Sequence, residues 1–141
     1  MTRHRRLFTP ESANATLPLV TRVVDDLVRL HAVWRAAVTS YELAQADADA
    51  SDETVAAREA RLEVGRLAGE IESCLDELEQ VGCLFRDFDQ GLVDFPAEHD
   101  GRVVCLCWRR GEVEVAHWHE MEAGFAGRQP LDDAFMAREG R

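Results

Sequence analysis

The chain has 141 residues, of which 46% are hydrophobic, and a formal net charge of −11 from 27 acidic and 16 basic side chains. This apolar content is enough for one folded domain of ordinary size, so we expect neither a disordered chain nor several domains. The negative charge argues against nucleic acid or an anionic membrane surface as the main partner, because like charges repel one another.

The sequence has no stretch that resembles a targeting or membrane-spanning segment. Its basic start runs into residues 8–11 without the apolar core of a signal peptide, and no window approaches the roughly 18 apolar residues of a membrane span. Four cysteines, at positions 74, 83, 105 and 107, are typical of reduced thiols when no export signal is present. We therefore predict a cytoplasmic protein.

Residues 9–82 have the pattern of a helical hairpin. Thr9 and Pro10 suit a helix start, and Pro18 is expected to kink or interrupt the helix. Beyond Pro18, apolar and aromatic residues recur in heptad steps, which indicates a helical seam. The residues of this first stripe are Val20, Val24, Leu27, His31, Trp34, Val38 and Tyr41.

The polar stretch 46–52 separates this helix from a second one. Ser51 or Asp52 is the predicted N-cap, and Gly82 is the predicted C-cap. The second stripe consists of Val64, Leu67, Ile71, Cys74, Leu78 and Val81. Folding back about residues 49–50 is expected to bring Trp34 opposite Gly65, Ala68 and Gly69. A hairpin of this length has more apolar surface than a small sheet can cover, so we predict a homo-oligomer that associates through the helices.

After Gly82 the apolar period changes to two, which is typical of strands. The predicted strands are residues 83–88, 92–97, 102–108 and 113–120. The sequence thus predicts an α+β fold, a long antiparallel helical hairpin followed by a small antiparallel β-meander. We expect a single domain over 1–141, with the hairpin at 9–82, the meander at 83–120 and an irregular tail at 121–141.

Turn chemistry predicts which strand residues share a face of the sheet. A two-residue turn at Asp100-Gly101 pairs Phe95 with Leu106 and Asp94 with Cys107. A second two-residue turn near Gly111 would direct both His117 and His119 to the core face, towards the helices. Asp94, Cys105, Cys107 and Glu120 would then lie on the opposite face. An odd-length loop at either turn reverses this assignment.

His117 and His119 are two apart on a predicted strand, so both imidazoles project to one side. Two nitrogen ligands at this spacing suit a divalent metal such as zinc or iron. A third ligand is needed, and His31 in the helical seam, a helix carboxylate or a water are the candidates. The alternative is a hydrogen-bonded histidine pair that holds no metal.

The opposite face carries a second set of candidates. Asp94 and Glu120 are candidate catalytic residues, as an acid–base pair, and Cys107 is a candidate for thiol chemistry. The alternative is a face with polar cross-strand pairs, exposed or covered in a dimer. Arg128 is a candidate for binding the carboxylate or phosphate of a ligand or cofactor, or it ties the tail to the acidic body of the protein.

Several ordered motifs along the chain resemble a bacterial family of unknown function, DUF2203. They are residues 8–14 (FTPESAN), 17–18 (LP), 91–97 (GLVDFPA), 106–108 (LCW), 118–120 (WHE) and 124–128 (GFAGR). The resemblance implies a helical hairpin with a small sheet, and it brings no established activity, substrate or cofactor. His117 stands where that pattern has an aromatic residue, and Cys105 is less typical of it than Cys107.

Three functional hypotheses follow, of which the third is thiol chemistry at Cys107. In the first, the protein is a cytoplasmic dimer that binds a partner or a small ligand near its sheet. In the second, it is a metalloprotein, including a metal-dependent enzyme, that uses His117 and His119 with a third ligand. The substrate, the reaction and the pathway do not follow from the sequence.

Overall fold

The computed structural model describes residues 6–46, 52–133 and 135–136. The elements in chain order are α1 Pro10–Ala15, α2 Leu17–Ala46, α3 Val55–Val81, β1 Leu84–Asp87, β2 Leu92–His99, β3 Arg102–Arg109, β4 His117–Glu120, a 3-10 helix Phe125–Gly127 and β5 Gln129–Pro130. The long helices α2 and α3 pack together, and an antiparallel sheet with strand order β1-β2-β3-β4-β5 follows them. The predicted α+β class is therefore confirmed.

The helical segment begins and divides where the sequence indicates. The Ser12 N–H donates to Thr9 Oγ1 at 3.0 Å, and the Thr9 N–H donates to Ser12 Oγ at 2.9 Å, so each side chain satisfies a free backbone donor of the other residue. The helix is interrupted at Thr16, so that Pro18 lies in the first turn of α2, where a missing N–H breaks no helical bond.

The ends of α3 were predicted with mixed success. Gly82 ends the helix with φ of +103°, a left-handed conformation that glycine adopts without strain, as expected. The N-cap is Thr54, whose hydroxyl accepts a hydrogen bond from the Ala57 N–H at 3.0 Å, rather than Asp52. Ser51 and the predicted fold-back at 49–50 lie outside the described residues.

The predicted close packing of Trp34 on small residues of α3 is wrong. A Cβ placed on Gly65 or Gly69 meets no atom within 4 Å beyond its own helix, and both glycines and Ala68 are exposed. Trp34 instead stacks on His31 of its own helix, with ring centroids 5.8 Å apart. Leu67, which belongs to the heptad stripe, is the residue buried in this part of α3.

The first strand turn forms as the sequence predicts. Asp100 and Gly101 have φ of 51° and 76°, the two left-handed residues of a type I′ hairpin turn. Consequently Phe95 pairs with Leu106, and Asp94 pairs with Cys107. This part of the predicted register is confirmed.

The predicted register of β4 is wrong by one residue. Cys105 pairs with His119, Leu106 with Trp118 and Cys107 with His117. Because side chains alternate between faces, Trp118 joins the core face, and both imidazoles lie on the opposite face with Cys105 and Cys107. Contrary to the prediction, neither imidazole points towards the helices.

The connection between β3 and β4 explains this reversal. The Glu112 N–H donates to Arg109 O at 2.9 Å, and Gly111 at the third position has φ of +99°, which is typical of a type II turn. Such a turn does not match the twist of a tight hairpin. The backbone then pairs with a side chain of α1, since the Val115 N–H donates to Asn14 Oδ1 at 2.6 Å. Residues 113–116 are therefore no strand.

The core lies between the helices and one face of the sheet. Its largest fully buried side chains include Phe8, Leu27, Leu78, Phe95, Leu106 and Trp108. The other face is covered by the chain after β4. That segment, predicted to be irregular, forms the 3-10 helix and then β5, which pairs with β4. None of the helices in the described residues is both long enough and apolar enough to cross a lipid bilayer.

Candidate metal centre

Three side chains of ligand type meet on the face of the sheet that turns away from the helices. Asp94 on β2, Cys107 on β3 and His119 on β4 offer atoms that all lie within 4.8 Å of one another. The three residues are 4%, 1% and 2% exposed. Within residues 6–46, 52–133 and 135–136, no other group of three or more His, Cys, Asp or Glu residues meets this distance.

Two hydrogen-bond partners orient the His119 ring. Nδ1 lies 2.7 Å from the backbone oxygen of Glu120, and Nε2 lies 3.0 Å from Asp94 Oδ1. A carbonyl oxygen only accepts, so Nδ1 carries the hydrogen, and in the neutral ring the lone pair is on Nε2. Since a carboxylate oxygen is also an acceptor, a proton or a metal ion is required between Nε2 and Asp94.

Arg86 holds the other side of the Asp94 carboxylate. Its Nε donates to Asp94 Oδ2 at 3.0 Å, and the Arg86 side chain is 46% exposed whereas that of Asp94 is buried. Arg86 lies at the irregularity of β1 between Phe85 and Asp87. With one oxygen on Arg86, the carboxylate keeps its second oxygen directed at His119.

The Cys107 thiol is held in its neutral form. Burial, followed by the charge of Asp94, raises its pKa to about 12, and the positive charge of Arg128 only partly opposes this. A thiol with such a pKa is not a thiolate near neutral pH, unless a cation at the sulfur compensates the charge.

A cavity of about 240 Å³ opens next to the three side chains. Its sheet side is formed by Arg86, Leu92, Asp94, Cys107 and His119, and its opposite side by Met121, Glu122, Gly124 and Phe125. The segment after β4 thus forms one wall of a cavity whose floor carries the ligand group.

Arg128 fastens this segment to the sheet. Its Nη2 donates to both carboxylate oxygens of Glu112, at 2.9 and 3.0 Å, and its guanidinium lies 4.8 Å from the centre of the Phe125 ring. Burial opposes the ionisation of Glu112, but the hydrogen bonds from Arg128 and the Arg109 N–H, together with the positive charge of Arg128, lower its pKa. This half-buried ion pair fixes the Arg128 guanidinium, which lies over the Phe125 ring.

The structure does not bring the three predicted metal ligands together. Of these, only His119 belongs to the ligand group. His117 is half-buried, and its Nδ1 lies 3.7 Å from Glu112 Oε2. His31 lies on α2 and stacks on Phe88, with ring centroids 4.1 Å apart. His117 and His119 lie on the side of the sheet opposite to the helices, because the register of β4 differs from the predicted one by one residue.

The other predicted site residues are also separated. Glu120 forms an ion pair with Arg102 through Nε at 3.0 Å, and the alternation along β4 places it on the face opposite His119. It therefore does not pair with Asp94. Arg128 is engaged with Glu112 and is not among the residues that line the cavity, which agrees with the alternative that it ties the tail to the body.

Sequence reasoning recognised Asp94 and Cys107 as neighbours but did not place His119 beside them. The sequence allows an odd-length loop between β3 and β4, and such a loop places His119 on the same face as Asp94 and Cys107. Choosing that loop requires knowing that Asn14 bonds Val115, a contact between residues 101 positions apart. No local pattern in the sequence reports such a contact.

Comparison with known proteins identifies a family but no characterised relative. A family model described as "Uncharacterized conserved protein (DUF2203)" matches residues 6–131. This segment includes α1 to α3, β1 to β5 and the three residues of the ligand group. No curated protein and no solved structure matches significantly. The chain belongs to the DUF2203 family of uncharacterised conserved proteins.

Proposed function

We propose that the protein binds one divalent metal ion, preferentially Zn²⁺, through Asp94, Cys107 and His119. The observation that carries this proposal is the orientation of His119. Its Nδ1 is fixed on a backbone carbonyl, so Nε2 faces a buried carboxylate beside a buried thiol. Metal-binding histidines are commonly oriented by this kind of bond from the second ring nitrogen.

The mixture of ligand atoms favours zinc. One imidazole nitrogen, one thiolate sulfur and one carboxylate oxygen suit a borderline-soft ion, whereas Mg²⁺ and Ca²⁺ prefer oxygen ligands alone. Ligand atoms around a tetrahedral zinc ion lie about 3.3–3.8 Å apart, given bonds of about 2.0–2.3 Å. The atoms here, which are 3.0 to 4.8 Å apart, need only small side-chain adjustments to meet that geometry.

Three protein ligands leave the fourth position of such an ion free. Structural zinc sites are usually closed by four protein ligands, whereas catalytic sites keep a position for water or substrate. The cavity adjoins all three ligands, so a small molecule is able to reach the ion. The arrangement therefore supports a ligand-binding or catalytic centre more than a purely structural one. It adds a specific position to the small-ligand site that was predicted near the sheet.

Thiol chemistry without a metal is less well supported. In a cysteine–histidine relay, a carboxylate or amide orients one imidazole nitrogen and the other nitrogen accepts the thiol proton. Here the carboxylate and the Glu120 carbonyl occupy both nitrogens of His119. The raised pKa of Cys107, about 12, also opposes a free thiolate nucleophile.

Zinc titration of the full-length metal-free protein, with elemental analysis of the dialysed complex, tests the proposal. We expect about one zinc per chain. His119→Ala is expected to weaken binding at least about a hundredfold, since loss of a first ligand exceeds the ten- to hundredfold cost of losing an orienting group. His117→Ala, on the same strand and face but outside the group, is the matched control and is expected to bind normally.

Two results would overturn the proposal. One is absence of stoichiometric zinc on the wild-type protein, and the other is an equal loss in both histidine variants. Far-ultraviolet circular dichroism of each metal-free variant separates loss of a ligand from loss of the fold. A third variant, Cys107→Ala, must also lose tight binding.

Self-association through the helices and a cytoplasmic location stay predictions. The first is supported by large apolar side chains that are exposed on the described part of the hairpin. These are Val33, Leu43, Val55 and Leu62. Burial of such side chains between two copies would remove apolar surface from water.

A further inference from the structure

Arg86 has hydrogen-bonding capacity that the fold does not use. Its Nε is bonded to Asp94, and within the described residues no other group is bonded to this guanidinium. The side chain is about half exposed and lines the cavity beside the ligand group. A guanidinium anchored through Nε still offers terminal N–H groups, which match the geometry of a carboxylate.

The charges at this centre leave one positive charge without a partner. A divalent ion is neutralised by the carboxylate of Asp94 and the thiolate of Cys107, while His119 is neutral, so Arg86 gives the set a net charge of about +1. Glu122 also lines the cavity and is exposed, so solvent screens its charge, whereas Arg86, although half exposed, is fixed beside the ligand group by its bond to Asp94. A monoanion therefore complements the centre better than a dianion does.

Much of the remaining cavity lining is apolar. Leu92, Met121 and Phe125 lie beside the polar floor. A volume of about 240 Å³ exceeds the roughly 150 Å³ of an engineered cavity that holds benzene, and it is below the usual size of a pocket for a drug-sized ligand. The space therefore suits a small organic molecule with one apolar group.

We propose that this cavity binds a small monocarboxylate with an apolar substituent, with the carboxylate shared between the metal ion and Arg86 and the substituent against Phe125. The inference rests on the proposed metal site and adds the chemical class of its ligand. The segment held by the Arg128–Glu112 ion pair supplies the apolar contact, so the second half of the site comes from the chain after β4.

Cobalt-loaded full-length protein provides the test, because the visible absorption of Co²⁺ changes with its ligands. Benzoate and its neutral counterpart benzamide are the probes. We expect benzoate to shift the spectrum saturably and to bind at least about tenfold more tightly than benzamide, as a charge-assisted hydrogen bond contributes about ten- to hundredfold in affinity. Inorganic phosphate is expected to bind more weakly than benzoate.

The decisive variant is Arg86→Gln, which is expected to lower benzoate affinity at least about tenfold while one Co²⁺ per chain is retained at saturation. Arg102→Gln is the matched control, because Arg102 is equally exposed (46%) and also pairs with a carboxylate, that of Glu120, but lies outside the cavity lining. It is expected to behave like wild type. Phe125→Ala, which removes none of the three metal ligands, is expected to weaken the binding of benzoate but leave that of acetate unchanged.

The outcomes separate the two proposals. A protein that takes up no Co²⁺ or Zn²⁺ defeats the metal site and this inference together. One Co²⁺ per chain with equal binding of benzoate and benzamide, or with unchanged benzoate affinity in Arg86→Gln, defeats only the inference. Phosphate binding more tightly than benzoate would likewise overturn the monocarboxylate class, as would unchanged benzoate affinity in Phe125→Ala.

Discussion

At Cys107, the surroundings act against ionisation of the thiol. The side chain is buried on the sheet beside Asp94, and its pKa rises to about 12. A divalent ion at the sulfur would reverse this preference, since its charge stabilises the thiolate. The affinity for metal is thus coupled to pH.

We predict that the zinc dissociation constant falls at least about tenfold for each pH unit between pH 6 and 9. The thiol pKa lies above this whole range, so its proton must be displaced at every pH, and binding strengthens as the pH rises. Competition with a chelator of known proton affinity measures the slope. The variant Cys105→Ser alters a neighbouring buried thiol on the same face and is expected to show the same slope of the zinc dissociation constant with pH. A slope near zero would contradict a thiolate ligand.

At the level of elements, two loops meet at Gly91. The Gly91 N–H donates to Asp87 O at 2.9 Å, and the Arg110 N–H donates to Gly91 O at 2.9 Å, so this residue connects the β1–β2 turn to the end of β3. Its φ is +70°, and a Cβ here would lie 2.7 Å from Arg110 Cβ and 3.1 Å from Val24 Cγ1. Glycine is therefore required for both its backbone conformation and the close approach of the chains.

We predict that Gly91→Ala lowers the free energy of unfolding by roughly 2–4 kcal/mol, from left-handed strain together with overpacking. Gly101→Ala is the matched control. That glycine has a similar φ of +76° but no atom within 4 Å of an added Cβ, so only the backbone term of about 1 kcal/mol applies. Urea denaturation measures both variants. Equal losses would show that the contact with Arg110 and Val24 is unimportant.

At the level of the whole molecule, cysteine is the main group that titrates at alkaline pH. The sequence contains no lysine and one tyrosine. None of the four cysteines is in a disulfide. Burial raises the pKa of Cys83 to about 11, and burial with the charge of Asp94 raises that of Cys107 to about 12. In the unfolded chain these thiols ionise nearer to pH 9, so the folded state binds more protons above that pH.

We predict that the metal-free protein keeps its full stability up to about pH 8 and loses roughly 3–5 kcal/mol of unfolding free energy by pH 11. The loss has this direction because the unfolded thiols release protons that the folded thiols retain. Urea unfolding under reducing conditions at pH 7, 9 and 11 measures it. The double variant Cys83→Ala and Cys107→Ala should be less stable at pH 7 but less sensitive to alkali. Equal stability of wild type at pH 9 and 11 would contradict the prediction.

Much of the fold follows from short-range chemistry that the sequence displays. Thr9 caps one helix, Gly82 ends another, and Asp100-Gly101 makes a tight turn. Each of these features depends on neighbouring residues, and each was predicted. The pairing of Asp94 with Cys107 follows from the tight turn, so half of the candidate site was also accessible from the sequence.

The position of His119 was decided by the tertiary structure. Whether His119 or Trp118 faces Asp94 depends on whether the β3–β4 connection has an odd or an even number of residues. Asn14 of α1 influences this number by bonding the backbone at Val115. Such a bond joins residues far apart in the chain, so periodicity cannot report it. The sequence by itself determined the elements, the first hairpin and the residue types available for chemistry. Tertiary contacts alone determined which face carries the imidazoles and which segment covers them, because a shift of one residue exchanges the two faces of a strand.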